Sequence, residues 1–506
     1  MMTKYQSEKE QRTVSKNYIY KSSSNIAEYD HLSYRIELHK YGSHFKNDIE
    51  ETLKLNSTSE ISKKEFDAMM NIHSILWHEY THFLDHSTTL WGLEYNIRTL
   101  NLYSAIREKN DEEYIDDRYE VFCLNLAEER LHKLITKHKS STNEYTVGYR
   151  LNYDKELGVY AQYSLYDKTT AIKDTIFNID MADPVCEVPL SMLAVIEANA
   201  YAQEILFKFN TIKRYKINEK EEIKKLREEL NNDINNCEMS EYTIMIRHAL
   251  QVFPCLDFIK VLEIVSAVSR LVLNMPIFLF GTVNHHYIKS VFKSEAEYVK
   301  YLIHDHARGS SRASFYLMFI QWLSGEHAES TEFNIEDELD KIITGVTNGR
   351  MTLNSVDSMY KLELETALKF ILEKEYSNPL GKISNINIEQ AHLYKNFEFN
   401  FSKLLLPEFM LKDGEIVQMP QSLNLNLEEY ADEIWDEYSK VDDLIQSGFR
   451  KRKNIAELGG DMYRDHLLSI EESKRKHNLS KLTRTQRRKA DRKALKQQKK
   501  LLKNNI

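Results

Sequence analysis

The sequence predicts an α+β fold that is predominantly helical, on three observations. Only 14 Gly and 7 Pro interrupt 506 residues, so long stretches carry no breaker. Apolar residues recur at helical spacing through most of the chain. A few short stretches switch to alternation around turn residues and supply a small antiparallel sheet or hairpin. At 506 residues the chain is long for one core, so two or three packed units are expected.

Taken in order, residues 1 to about 30 read as loosely ordered, and HLSYRIELHKYG (His31 to Gly42) alternates as a strand. A helical pattern runs from Ser62 to about Thr89, with Gly92 as its stop. Further helical tracts cover Asn96 to Lys109 and Glu112 to Lys137. TVGYRLNY and GVYAQYSLY, on either side of Asp154 to Gly158, form a β-hairpin. Pro184 and Pro189 punctuate the entry to the helix SMLAVIEANAYAQEILFKF. A charged surface helix spans Asn218 to Asn235, and Ile244 to Phe280 is the apolar heart of the middle region. His304 to Gly325 passes from loop to helix. Beyond Glu336 come amphipathic helices, a hairpin at FMLKDGEIVQMP with Asp413-Gly414 at its turn, and an acidic helix from Leu427 to Gln446. The divisions are an N-terminal segment with sheet (1–60), a metal-binding unit (61–335), a mostly helical C-terminal region (336–472) and a basic tail (473–506).

The N-terminus has no apolar core of signal-peptide type. The most apolar stretch, Ile259 to Phe280, is interrupted by Lys260, Glu263, Arg270 and Pro276, and so reads as a buried helix rather than a membrane span. The four cysteines (Cys123, Cys186, Cys237, Cys255) are far apart and make neither a disulfide framework nor a thiolate zinc site. A reduced, cytoplasmic protein with no membrane partner is expected. The net charge of −9 hides an asymmetry: residues 473–506 carry fourteen Lys or Arg against one acid, Asp491, leaving −22 for the rest. Such a tail suits a phosphate backbone, with salt-dependent affinity and no aromatic residue for base stacking. Nucleic acid is therefore one expected partner. A solvated tail, or one docked on the acidic body, is the other reading.

The chemistry is concentrated at His78-Glu79-Tyr80-Thr81-His82, an HExxH run inside MMNIHSILWHEYTHFLDHSTTLWG. Histidines four apart lie one turn above each other on a helix, so both imidazoles reach a single ion, here Zn2+. Glu79 stands beside the first and can activate water. With 18 His in the chain, about 0.06 such matches are expected by chance.

A catalytic zinc takes three protein ligands and keeps one position open. His86 continues the same face, but eight residues of helix place it about 12 Å from His78, too far for one ion. A metzincin third histidine would fall at Thr88, with a glycine at Asp85, so that class is excluded. Glu94 lies about 18 Å past His82 if the helix continues, and returns only if the chain reverses at Gly92. Glu197, on a separate helix beside Ala198, Ala200 and Ala202, is better placed, because small residues permit close helix packing. The HEYTH run and the EANA segment resemble the two zinc-binding helices of gluzincin metallopeptidases such as thermolysin, and zincins place sheet before the metal helix. The resemblance covers about a tenth of the chain, and the 114 residues between His82 and Glu197 exceed the usual spacing of that group. It implies a zincin-like core, Zn2+ on His78, His82 and Glu197, and peptide hydrolysis. Ligating imidazoles commonly hand their second N–H to a carboxylate or carbonyl, for which Asp85 and Asn199 are the candidates.

On this reading Glu79 takes a proton from attacking water and passes it to the leaving amine. The developing oxyanion needs a further donor, for which His304 or His306 is expected. The function predicted is a zinc metallopeptidase with a specific intracellular protein substrate. Two alternatives stand beside it. One is a non-catalytic zinc-containing binding or regulatory protein. The other is a di-iron carboxylate helical protein, on the runs Glu79-x-x-His82, Glu129-x-x-His132 and Glu389-x-x-His392.

Overall fold

A capping box opens the helical run that carries the HExxH residues. Ser62 Oγ accepts from the Glu65 amide and Glu65 Oε2 accepts from the Ser62 amide, satisfying two amides that the first turn leaves without partners. The structure, a computed structural model, describes residues 26–30, 34–55, 60–97, 135–137, 144–154, 158–168, 184–291, 312–327, 334–373, 384, 387–388 and 404–419. Nearly all of these belong to one unit, residues 1–153 and 159–445. A second unit, 154–158 and 446–506, contains the basic tail and, apart from Asp154 and Gly158, lies outside the described residues.

After α1 (Lys46–Leu53), helix α2 (Lys63–Ala68) passes through a single π-helical turn, Met69–His73, directly into α3 (Ser74–Thr88). Every residue of α3 from Leu76 to Thr88 is buried. A helix buried on all sides is normally apolar all round. This one instead encloses His78, Glu79, Thr81, His82, Asp85, His86, Ser87 and Thr88, and buried polar groups persist only with partners. Thr89 turns extended and ends α3, and residues 90–97 are helical again. Gly92, expected as the stop, lies inside that next segment. A Cβ there would stand 2.4 Å from the Asp85 and His86 carbonyl oxygens, so the glycine permits a close approach of backbones.

The helix on which most of the first unit packs is α4 (Met192–Tyr215). Ser191 Oγ caps its start by accepting from Ala194 N, and Lys216 closes it in the left-handed conformation at φ 52°. It packs against α3, α5 (Glu219–Ile234), α6 (Ser240–Val252) and α7 (Phe258–Leu273), with Ala198, Ala200 and Ala202 fully buried. Asp257 caps α7. Helix α8 (Ala313–His327) and helix α9 (Ile335–Val346) extend this layer, and α10 (Leu353–Glu373) packs on α9. The expected apolar stretch is divided: α7 ends at Leu273, and Pro276 precedes the short helix Ile277–Phe280. Among the described residues no helix is long and apolar enough to cross a membrane.

Among the described residues, two four-stranded sheets complete the α+β, mostly helical architecture. The first has the order β1 (Ala27–Asp30), β2 (Arg35–Leu38), β7 (Phe409–Leu411), β8 (Ile416–Val417). The outer pairs are antiparallel, but β2 and β7 run parallel, with Ile36 opposite Phe409. Strand β1 borders α3, where Phe83 meets Tyr29 and Tyr34 edge-on at 6.3 Å. Each such aromatic pair adds about 0.5–1.5 kcal/mol beyond burial. Tyr80 Oη donates to the Pro407 carbonyl at 2.7 Å, tying α3 to the approach to β7.

The second sheet has the order β3 (Thr136–Lys137), β6 (Cys186–Pro189), β5 (Gly158–Asp167), β4 (Tyr145–Asp154), and β6 leads straight into α4. The hairpins at 145–167 and 409–417 stand where alternation placed them, with Gly414 at φ 86° in the second turn. The strand expected at 31–42 contracts to β2, and β1 forms within the stretch expected to be loose. Thr136 and Lys137, expected to end a helix, are strand, because they pair with Glu187 and Cys186 of β6. The expected helices at 112–134 and 427–446 lie outside the described residues, as does nearly all of the one at 96–109.

Candidate metal centre

Helices α3 and α4 bring together three side chains expected to meet. On α3 the His78 and His82 rings lie 4.9 Å apart between centroids, as a separation of four residues dictates. From α4, Glu197 Oε2 stands 3.6 Å from His78 Nε2 and 3.4 Å from His82 Nε2. One donor atom from each of the three lies within 4.8 Å of the others, and among the described residues no other His, Cys, Asp or Glu group of three or more is so placed. Donor atoms held about 2 Å from one tetrahedral ion lie roughly 3.3 Å apart, so the spacing suits zinc. All three residues are buried, and among the described residues Glu197 Oε2 has no partner in hydrogen-bond geometry. A buried carboxylate is costly unless charge is set against it, and a cation between these three groups would supply that charge.

The electrostatics match this packing. Burial pushes the Glu197 carboxyl up, but the two imidazoles outweigh it and hold it well below the usual carboxylate range. Burial likewise pulls His78 down, yet Glu197 and Glu204 overcome it and hold the ring at about 10. Glu79 is buried beside the pair. Desolvation raises its pKa against the pull of His78 and His82, while Glu197, and Glu28 from β1, push it further up.

Asp85 and Asn199 also meet: Asn199 Nδ2 donates to Asp85 Oδ2 at 2.9 Å. Further partners come from α4 and α7. Arg270 Nη1 of α7 donates to Asp85 Oδ1 at 2.5 Å, Ser266 Oγ donates to Asn199 Oδ1 at 2.7 Å, and Gln203 Nε2 donates to Ser266 Oγ at 2.6 Å. This chain of bonds fastens α3, α4 and α7 together beneath the site. Glu204 faces an imidazole Nδ1, with its Oε2 3.3 Å from His78.

Glu94, the other candidate ligand, is bound elsewhere: Arg312 Nη2 donates to its Oε1 at 2.5 Å. His86 makes no metal group. Its Nδ1 lies 3.2 Å from the His82 carbonyl oxygen, and its ring packs against Tyr29, Trp91 and Tyr95. His304, His306, Glu129, His132, Glu389, His392 and the tail 473–506 lie outside the described residues. Tyr242 of α6 stands near the site, its ring 6.0 Å from that of His78.

Sequence reasoning passed over Glu204 and Arg270, although each left a signal. Glu204 follows Glu197 by seven residues, two turns along the same helix face. Arg270 is a cation set between apolar residues of its helix, which in a packed core requires an acid. No family model, curated protein or solved structure matches this chain.

Proposed function

We propose that this chain is a zinc-dependent metallopeptidase, built on a zincin-like core with a metal site of gluzincin type, that hydrolyses peptide bonds in a specific intracellular protein. The observation that carries the reading is the approach of one Glu197 oxygen to both imidazoles of the HExxH run, with Glu79 buried next to them. His78, His82 and Glu197 are the residues to hold the ion, which when bound supplies a Lewis acid and acidifies nearby water. Glu79 accepts the proton of the attacking water on its carboxylate and returns it to the leaving amine. His304 or His306 donates to the developing oxyanion. Residues 473–506 contact a phosphate backbone, which predicts salt-dependent nucleic-acid binding that is lost on their deletion.

The test combines metal analysis with one substitution. Purified protein should hold one zinc per chain, and Glu79→Gln should keep that zinc while hydrolysis of the cellular proteins cleaved by the wild type disappears. Two irons per chain would mean a di-iron protein. Function unchanged by Glu79→Gln would mean a zinc-containing binding protein.

A further inference from the structure

The second nitrogen of each ligating imidazole decides whether the ring is ready for an ion. For Nε2 to present its lone pair, Nδ1 must carry the proton, and an acceptor at Nδ1 fixes that tautomer and the ring's rotation. Asp85, the acid expected in that role, is engaged by Asn199 and Arg270. On the other side of His78 the geometry is different. Nε2 faces Glu197 at 3.6 Å while Nδ1 faces Glu204 at 3.3 Å, at ion-pair distance rather than in hydrogen-bond alignment. The two carboxylates thus address opposite nitrogens of one ring, from positions two turns apart on α4.

Glu204 is itself fixed. Its Oε1 accepts from Lys208 Nζ at 2.9 Å, and the same ammonium donates to Glu229 Oε1 of α5 at 2.6 Å. Lys208 is buried, and a buried ammonium is held only by such partners. One turn back, Tyr201 Oη donates to Asp233 Oδ2 at 2.5 Å and bolts the same stretch of α4 to α5.

We infer that Glu204 is a positioning residue for the metal site: it takes the Nδ1 side of His78, and the buried Lys208 holds it there. The inference rests on the zinc reading above and names the residue that sets the site's affinity. A carboxylate that served only to neutralise Lys208 would have no bearing on the ring, and that difference can be measured.

Zinc affinity is read by competition with a chromophoric chelator at fixed pH, and the site geometry by the visible absorption of the cobalt-loaded full-length protein. Glu204→Gln should weaken zinc by about 10–100-fold and alter the cobalt spectrum. Glu229→Gln removes the outer end of the same ion-pair chain without touching the ring. It should cost less than about fivefold, the size of an exposed pair, and leave the spectrum unchanged. Wild-type affinity and spectrum in Glu204→Gln, or equal losses in the two variants, would overturn the inference and leave the zinc reading intact. Failure of the wild type to bind zinc or cobalt would overturn both. If thermal melting shows that metal-free Glu204→Gln is unfolded, Glu204→Asp carries the test: charge kept, reach shortened, affinity expected to fall, and unchanged affinity counting against the role.

Discussion

Asp85 and Arg270 form an ion pair with almost no solvent contact, each side chain exposed by 1% or less. Removing one member of such a pair leaves the other charge desolvated. Arg270→Met should therefore cost about 3–5 kcal/mol, read as a lower midpoint in urea unfolding. The double variant Asp85→Asn with Arg270→Met should lose clearly less than the sum of the single losses, because its second step removes a charge already stranded. Additive losses would show that the pair is not coupled. Part of this residue-level arrangement was legible in the chain. Glu197 stood out because alanines flank it, and Asn199 because it shares that helix with the presumed ligand. Arg270 read only as an interruption of an apolar run, since the acid that explains its burial lies 185 residues away.

Elements were easier to read than their packing. Ser62, Ser191 and Asp257 announce helix starts through local hydrogen bonds, and Asp413-Gly414 announces a turn through one left-handed residue. Close approaches between elements leave no such local mark. Gly345 of α9 is an instance: an added Cβ would fall 2.1 Å from a ring carbon of Trp322 on α8. Gly345→Ala should force the indole aside at about 1–3 kcal/mol, measured as a lower melting temperature. Gly92→Ala should be at least as harmful, because the obstructing atoms there belong to backbone. An unchanged melting temperature in either variant would contradict the packing described.

For the molecule as a whole, two buried histidines set a pH limit. Desolvation holds His73 at about 4 and His248 at about 3, well below the ordinary value of 6.5. Unfolded chain takes up these protons first as pH falls, so stability should decline below pH 6.5 and continue down to the folded values. From the shifts cited, each histidine contributes roughly 2 kcal/mol of loss by pH 5. Urea unfolding at pH 7 and pH 5 measures the total, and His248→Gln should reduce the difference. Zinc should act in the opposite direction. At free zinc a hundred times its dissociation constant, stability should rise by about 2.7 kcal/mol, and Glu197→Ala should abolish the rise.

The least legible feature at this scale was the first sheet. Strands β2 and β7 are short, and their pairing is set by tertiary packing rather than by any local turn. Because Ile36 pairs with Phe409, and Tyr80 donates to the Pro407 carbonyl 327 positions further on, the support beneath the HExxH helix is completed by residues far downstream of it. Synthesis must pass Leu411 before that support closes, and closing so long a loop is slow. The protein thus carries its own delay. On the zinc reading, a nascent chain stopped at residue 400 should hold the three candidate ligand residues yet bind zinc more weakly than the full chain, so the candidate site matures only once the strand Phe409–Leu411 has been added.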